Sequence, residues 1–280
     1  MTATHDRIRS VASANKLRTR PGAVWRNRSI LTLLVKRDLT VRYANSLLGY
    51  VWSILDPLLM SAVYWFVFTK IFHRDVGVEP YIIFLLAALL PWTWFQNSVG
   101  DSSHALQHES RLVRSTSLPR ELWALRIVMS KGVEFSFSIP VLIILILIFH
   151  PTLTVYAWLF PVAMLVQAVL LTGIALLLSP LTVLLRDIDP LVKIGMRFMF
   201  YVSPIIYGIN DVNDMAAPQI LKDVYIFNPM AGILSTYRAA FFTEEMHWDA
   251  FLISAVIAVV VLIVGQLTFS RLERSVLKEL

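Results

Sequence analysis

The chain has 280 residues, 57% of them hydrophobic and only 16% charged, with 25 Lys and Arg against 19 Asp and Glu for a net charge of +6. Soluble domains carry about 25% charged residues, so this composition excludes an ordinary water-soluble domain. Uncharged apolar runs of about 20 residues, long enough to cross a bilayer as helices, recur along the chain, and it reads as an all-α integral membrane protein.

Residues 1–29 form a basic arm without a continuous apolar core, so no signal peptide is expected there. Residues 30–48 are too charged to insert and too apolar to float. Ile30, Leu33, Leu34 and Val41 are expected on one helical face, with Lys36, Arg37, Thr40 and Arg42 toward the other, as in a helix lying in the membrane interface. Six spans are then expected within 49–270, at 51–72, 81–100, 127–149, 156–178, 190–209 and 250–270, followed by a tail at 271–280. The apolar runs are continuous rather than alternating, which argues against a β-barrel. Residues 151–185 carry no charge, yet a single straight helix of that length would overshoot the bilayer. Ser179 and Pro180, then Arg186, Asp187 and Asp189, mark its return to water.

The stretch 111–128, RLVRSTSLPRELWALRIV, interrupts this apolar chain with four arginines. Ser115, Thr116 and Ser117 offer caps, Pro119 suits a first helical turn and Glu121 complements the helix dipole. These signals predict a short helix from about Leu118 running into the third span, with Arg111 and Arg114 on a preceding segment. Within the third span, Lys131 and Glu134 are spaced for a helical ion pair. Between 208 and 249, Asn228 and Pro229 predict a helix to about Phe242, at about 21 Å too short to span, which should lie against or dip into the outer leaflet.

Alternate connections differ sharply in charge. Segments 1–50, 104–131, 186–197 and 271–280 hold 21 of the 25 Lys and Arg, and only Lys70, Arg74, Lys222 and Arg238 lie on the other side. The positive-inside rule therefore places both termini in the cytoplasm. No P-loop, HExxH or GxSxG motif is present, so nucleotide hydrolysis and the familiar hydrolase chemistries are not expected on this chain. The chain has no cysteine and offers no thiolate metal site. His104 and His108 read as a polar face rather than as metal ligands.

The order of local features resembles a known family. An amphipathic helix with Lys36, Arg37, Asp38, Arg42 and Tyr43 is followed by Leu48, Gly49, Trp52, Asp56 and Pro57. After these come LLPWTWF at 89–95, LPRE at 118–121, Arg186 and Asp187, SPIIY at 203–207, and Asn228 with Pro229. Together they resemble permease subunits of ABC polysaccharide exporters, the Wzm and TagG type of the type-2 ABC transporter superfamily. The resemblance implies a homodimer in a bacterial cytoplasmic membrane that exports a lipid-linked O-antigen, teichoic acid or cell-wall galactan. ATP and Mg would be bound by a separate ATPase subunit, with no cofactor on this chain. It also implies that Arg111, Arg114, Pro119, Arg120 and Glu121 dock on that ATPase as a coupling helix, with residues 30–48 as the interface helix.

The expected substrate path draws on Trp52, Asp56, Trp92, Trp94, Phe95, Lys193, Arg197, Tyr201 and Tyr207. Asp56 stands where an amide is common in the family. Ionised inside the bilayer it would cost about 2.5–3.5 kcal/mol, so it should face water, a cavity or a cation, or else cap a helix disturbed by Pro57. Lys193 and Arg197 share a helical face, suited either to snorkelling or to a pyrophosphate group. The aromatic rings suit the faces and hydroxyls of sugars, with core packing the alternative. A drug or lipid exporter of the same superfamily, or a secondary transporter, are the rival functions. The topology is testable because the chain lacks cysteine. Cysteines introduced at Ser10, Ser117 and Ser275 should resist an impermeant thiol reagent in intact cells, and one at Asn213 should react. Reaction at Ser117 from outside would overturn the span order.

Overall fold

In lipid every backbone N–H and C=O needs a partner within the protein, and the helix supplies one from its own segment. The computed structural model describes residues 22, 24–43, 49–71, 80–116, 118–215 and 218–280, and among them there are only helices and turns. The helices are α1 (Arg28–Tyr43), α2 (Trp52–Trp65), α3 (Tyr81–Ser103), α4 (Ser110–Ser115), α5 (Glu121–Phe149), α6 (Leu159–Leu184), α7 (Ile188–Val202), α8 (Ile209–Asp214), α9 (Gln219–Ile226), α10 (Pro229–Ala239) and α11 (Trp248–Glu279).

Among the described residues, four segments are long and apolar enough to cross a membrane: α3, α5, the run Val155–Leu184 that contains α6, and α11. The other two expected spans are less regular. Of the span expected at 51–72, the described residues form α2 followed by a wide π-type turn at Phe66–Ile71, and α7 has 15 residues, about 22 Å, less than a ~30 Å hydrocarbon core. α7 stops where it does because Ser203 is extended and Pro204 follows it, and a residue before proline is pushed out of the helical region. Gly49, at the turn leading into α2, has φ +48°, which suits the glycine of the LG pair; Leu48 and the rest of 44–48 lie outside the described residues.

α3 is the central post. It packs against α2, α5, α6, α7 and α10, while α11 lies along α6 and α10. Polar groups turn inward at mid-depth. Gln167 of α6 is fully buried; its Nε2 donates to the Pro91 carbonyl (2.8 Å) and its Oε1 accepts from the Tyr237 hydroxyl (3.0 Å). Large apolar side chains such as Ile144, Leu147, Val256, Val260 and Ile263 face outward instead. This polar-in, apolar-out pattern suits a helix bundle surrounded by lipid.

α1 buries only part of the face expected for it, Leu34 fully and Ile30 in part. Leu31, Leu34 and Val35 are the covered residues, with Leu31 and Val35 packed against Leu122 of α5, while Leu33 and Val41 are exposed. The helix leans on protein, so the side it buries follows its neighbour. The stretch at 111–128 is a helix–break–helix as expected, with shifted bounds: α4 ends at Ser115 and α5 begins at Glu121 rather than near Leu118. The Thr116 hydroxyl donates back to the Leu112 carbonyl (2.8 Å), closing α4 instead of capping α5; Ser117 lies outside the described residues. α10 starts as expected, with Asn228 Oδ1 accepting from the Met230 amide (3.0 Å) and Pro229 in the first turn. It does not lie on a leaflet surface: residues 230–239 are all buried. The tail expected from 271 continues α11 without a break to Glu279.

α6 and α11 touch backbone to backbone. A Cβ on Gly173 would fall 2.5 Å from the Leu262 nitrogen, and one on Gly265 2.2 Å from the Gly173 carbonyl oxygen. Small residues permit such crossings where dispersion, not the hydrophobic effect, holds helices together. Gly173→Leu or Gly265→Leu should therefore destabilise the detergent-solubilised chain by about 1–3 kcal/mol or more. Gly195→Ala, with nothing within 4 Å, should leave thermal unfolding unchanged or slightly raised.

Candidate functional site

Two ends can be named by what they carry. The basic end holds residues 104–131, 186–197 and the end of α11; the far end holds the α5–α6 connection and residues 203–247.

A groove of about 560 Å³ opens between α2, α3 and α7. Its walls are Met60, Tyr64, Met196, Phe200 and Tyr201 toward the far end and Gln96, Asn97, Asp101, Lys193 and Arg197 toward the basic end. The split follows from helical spacing, because residues 193, 197 and 201 of α7 recur at intervals of four on one face. Lys193 and Arg197, read together from sequence, are not equivalent here. Lys193 Nζ is paired with Asp189 (2.7 Å), which also takes His104 (2.7 Å), whereas Arg197 makes no ion pair among the described residues. Arg197 is thus the freer anion-binding group. Tyr201 is 73% exposed beside it.

Other expected path residues stand elsewhere. Trp92, Trp94 and Phe95 are buried in the core, not on the open wall of the groove. Trp92 donates to Gln96 (2.9 Å) and meets Phe200, while Trp94 donates to the Val128 carbonyl (3.2 Å) and stacks on Phe135. Their uncharged surroundings in sequence did not distinguish a lining ring from a packed one. The Tyr207 hydroxyl donates to the carbonyls of Tyr201 (2.9 Å) and Val202 (3.0 Å), closing the frayed end of α7. Trp52 is half-exposed at the start of α2, outside the groove, and Asp56 lies within α2 with its side chain outside the described residues.

The expected docking set divides too. Arg111 and Arg114 are exposed on α4. Pro119 is half-buried, Glu121 is buried, and Arg120 is paired with Glu273 of α11 (3.0 Å). The exposed charges of this stretch are therefore on α4, and the turn that follows is partly covered by protein.

Beside it lies a charge network that sequence reasoning missed. Arg42 of α1 bonds Asp101 (3.0 Å) and Glu134 (3.1 Å), and Lys131 reaches the same two carboxylates at 3.0 and 3.6 Å. Arg126 bonds Asp38 (3.3 Å) and Glu109 (3.1 Å), and Arg37 also meets Glu109. Burial works to raise the Glu109 carboxyl, but bonds and charge from Arg37 and Arg126 outweigh it and hold it below the ordinary range. The i,i+3 pair of Lys131 and Glu134 was legible, but the bonds from Arg42 and to Asp101 join α1, α3 and α5 across long separations. Tyr43 belongs to α1, and its side chain is outside the described residues; Lys36 is exposed.

At the far end Arg238, counted from sequence as an outer-loop charge, is fully enclosed. Nε donates to Phe84 O (3.0 Å), Nη1 to Tyr207 O (2.7 Å) and Nη2 to Ile205 O (2.6 Å), with the guanidinium 3.6 Å over the Phe84 ring and Glu245 at 3.7 Å.

Residues 30–242 match the family described as ABC-2 type transporter. The chain belongs to that family. Similar proteins include two from Klebsiella pneumoniae, each called O-antigen export system permease protein RfbA. One is 29% identical over 245 residues and the other 30% over 246, each alignment covering 87% of this chain and 92% of the relative. A protein of the same name from Myxococcus xanthus is 28% identical over 223 residues, covering 80% of this chain and 84% of its own. The family match takes in nearly all of α1, the groove helices and Arg238 with its three carbonyl acceptors, while Glu245 lies just beyond the matched residues of this ABC-2 transporter chain. Replacing Arg238 with Met would leave three carbonyls without their donor and the Glu245 carboxylate without its nearby cation. The loss should be about 3–5 kcal/mol, read as a fall in thermal stability in detergent; a change under about 0.5 kcal/mol would mean water already serves these groups.

Proposed function

We propose that this chain is the non-catalytic permease subunit of an ATP-driven exporter that moves a lipid-linked polysaccharide outward across a bacterial cytoplasmic membrane. The observation that carries this reading is the near full-length similarity to three proteins named as O-antigen export permeases. In this reading the chain crosses the membrane six times, α2 with its wide turn and α7 with the segment after it serving as the two irregular crossings. Both termini are cytoplasmic, in keeping with the positive-inside rule. Two copies pair, and each binds a separate ATPase subunit through α4, where Arg111 and Arg114 are exposed. ATP and Mg belong to that subunit. The glycan class is an O-antigen, a teichoic acid or a cell-wall galactan.

The groove suits such a cargo. Arg197 stands near the basic end, where a pyrophosphate would enter from the cytoplasm, and offers a fork of donors to its oxygens. Beyond it Tyr201 and Tyr64 present rings with one polar atom each, suited to contacts that are individually weak and repeated along a sliding polymer. In cells lacking this chain, lipid-linked polymer should accumulate inside while surface polysaccharide disappears. Complementation with Arg197→Gln should restore export poorly at matched protein level, Lys193→Gln less poorly because Lys193 is already paired, and Tyr201→Leu should slow export without loss of ATP hydrolysis. Full surface polysaccharide in the deletion strain would refute the function, and full export by Arg197→Gln would remove the groove from the path.

A further inference from the structure

The last turns of α11 are tied to the docking segment. Glu273 Oε1 accepts from Arg120 Nη1 at 3.0 Å, with both side chains mostly covered. Beside this pair Val113, Val276, Leu106 and Phe269 wall a small apolar crevice, and all four are buried. Val113 is the buried residue of α4, and Arg111 and Arg114 on the same helix are exposed. A helix of six residues has little stability of its own, since isolated helices below about 12–15 residues are marginal. Its pose must come from what it sits on. That seat is built from Val113 and Arg120 on one side and from Val276 and Glu273 on the other.

α11 also reaches the far end. Near its start, Ala250 and Ser254 press on Gly232 of α10 so closely that a Cβ there would lie 2.2 Å from the Ala250 carbonyl oxygen. α10 carries Arg238, which grips the backbone after α7. One continuous helix of 32 residues therefore touches the docking segment at one end and α10, the helix that carries Arg238, at the other.

We infer that Glu273 is a positioning residue: with the apolar seat of Val113 and Val276, it holds residues 110–120 in the pose that meets the ATPase subunit. Arg120 acts through Glu273 and does not itself touch that subunit. The inference rests on the permease reading above. It makes α11 the element that passes a displacement of the docking segment on to α10.

The chain is purified with its co-expressed ATPase subunit, and Arg120→Glu, Glu273→Arg and the double swap are compared with wild type. Each single substitution should lower retained ATPase subunit and ATP hydrolysis by about threefold or more at unchanged permease yield, the scale of a partly covered ion pair, and the swap should return both to within about twofold. A swap no better than Arg120→Glu, with Glu273→Arg harmless, overturns the inference, because Arg120 would then contact the ATPase subunit directly. A second readout needs no partner. As the chain has no cysteine, Val113→Cys with Val276→Cys, joined by a short bismaleimide in membranes, reports the seat alone. Its yield should fall in each single charge variant and recover in the swap; a yield indifferent to the charges also overturns the inference. If wild type retains no ATPase subunit while the cross-link still follows the charges, the permease reading fails and the seat stands.

Discussion

The guanidinium of Arg238 has no water to turn to, so each hydrogen it carries needs a protein acceptor, and the acceptors it finds explain the far end of the molecule. Pro204 forces the backbone out of the helix after Val202, which leaves carbonyls at 205 and 207 without a helical ladder. Irregular backbone at membrane depth is tolerated only where protein satisfies it. Arg238 satisfies both carbonyls at once and adds Phe84 of α3, so a single side chain joins α10, α3 and the end of α7. The geometry also fixes where Glu245 can stand. A Cβ at Gly208 would fall 2.6 Å from Glu245 Oε1, so a side chain at that position would make the carboxylate shift.

The same scarcity of water shapes the interior. Gln167 bridges the Pro91 carbonyl and the Tyr237 hydroxyl, and Ser179 donates to Ser102 O (2.9 Å) or to its own helix. These bonds tie α6 to α3 at two depths, which fixes its rotation as well as its distance. Against that fixed helix, the Gly173 and Gly265 contact sets how closely α11 approaches. Packing of this kind is geometric, since lipid tails are as apolar as the side chains and do not press helices together. It leaves little freedom at α11, and comparatively more at α7, which buries no residue completely within one chain.

Much of the helical order was legible in the sequence. Chain length against bilayer thickness placed the long helices, Asn228 and Pro229 started α10, and the run of arginines marked a helix–break–helix. What stayed hidden shares one cause. A helix in lipid is apolar on both its lipid face and its packed face, so hydrophobic periodicity cannot say which way Trp92 or Trp94 points. For the same reason the face expected for α1 was only partly right: Leu34 is buried as expected, but Leu33 is exposed and Leu31 and Val35 are the residues that Leu122 covers. Charges were legible as a count but not as pairs. Arg238 counted as an outer loop charge, and Arg120 as a docking group, because their partners lie 154 and 153 residues away at Phe84 and Glu273.

Asp101 shows how the pairs bear on the groove. It lies at the wall shared by the groove and the neighbouring cavity of about 630 Å³ behind α1. Left alone at the basic mouth, its carboxylate would offset the positive charge of Arg197. Arg42 and Lys131 bind it from the far side, so its charge is answered before Arg197 has to answer it. Lys193 is similarly spent on Asp189. The positive potential left in the mouth is therefore concentrated at Arg197, one helical turn from the exposed Tyr201 ring. Because Arg42 belongs to α1 and Lys131 to α5, a movement of α1 away from α3 and α5 would leave Asp101 with Lys131 alone and weaken that compensation. The position of α1 and the electrostatics of the groove are then coupled, through the two carboxylates that Arg42 shares with Lys131.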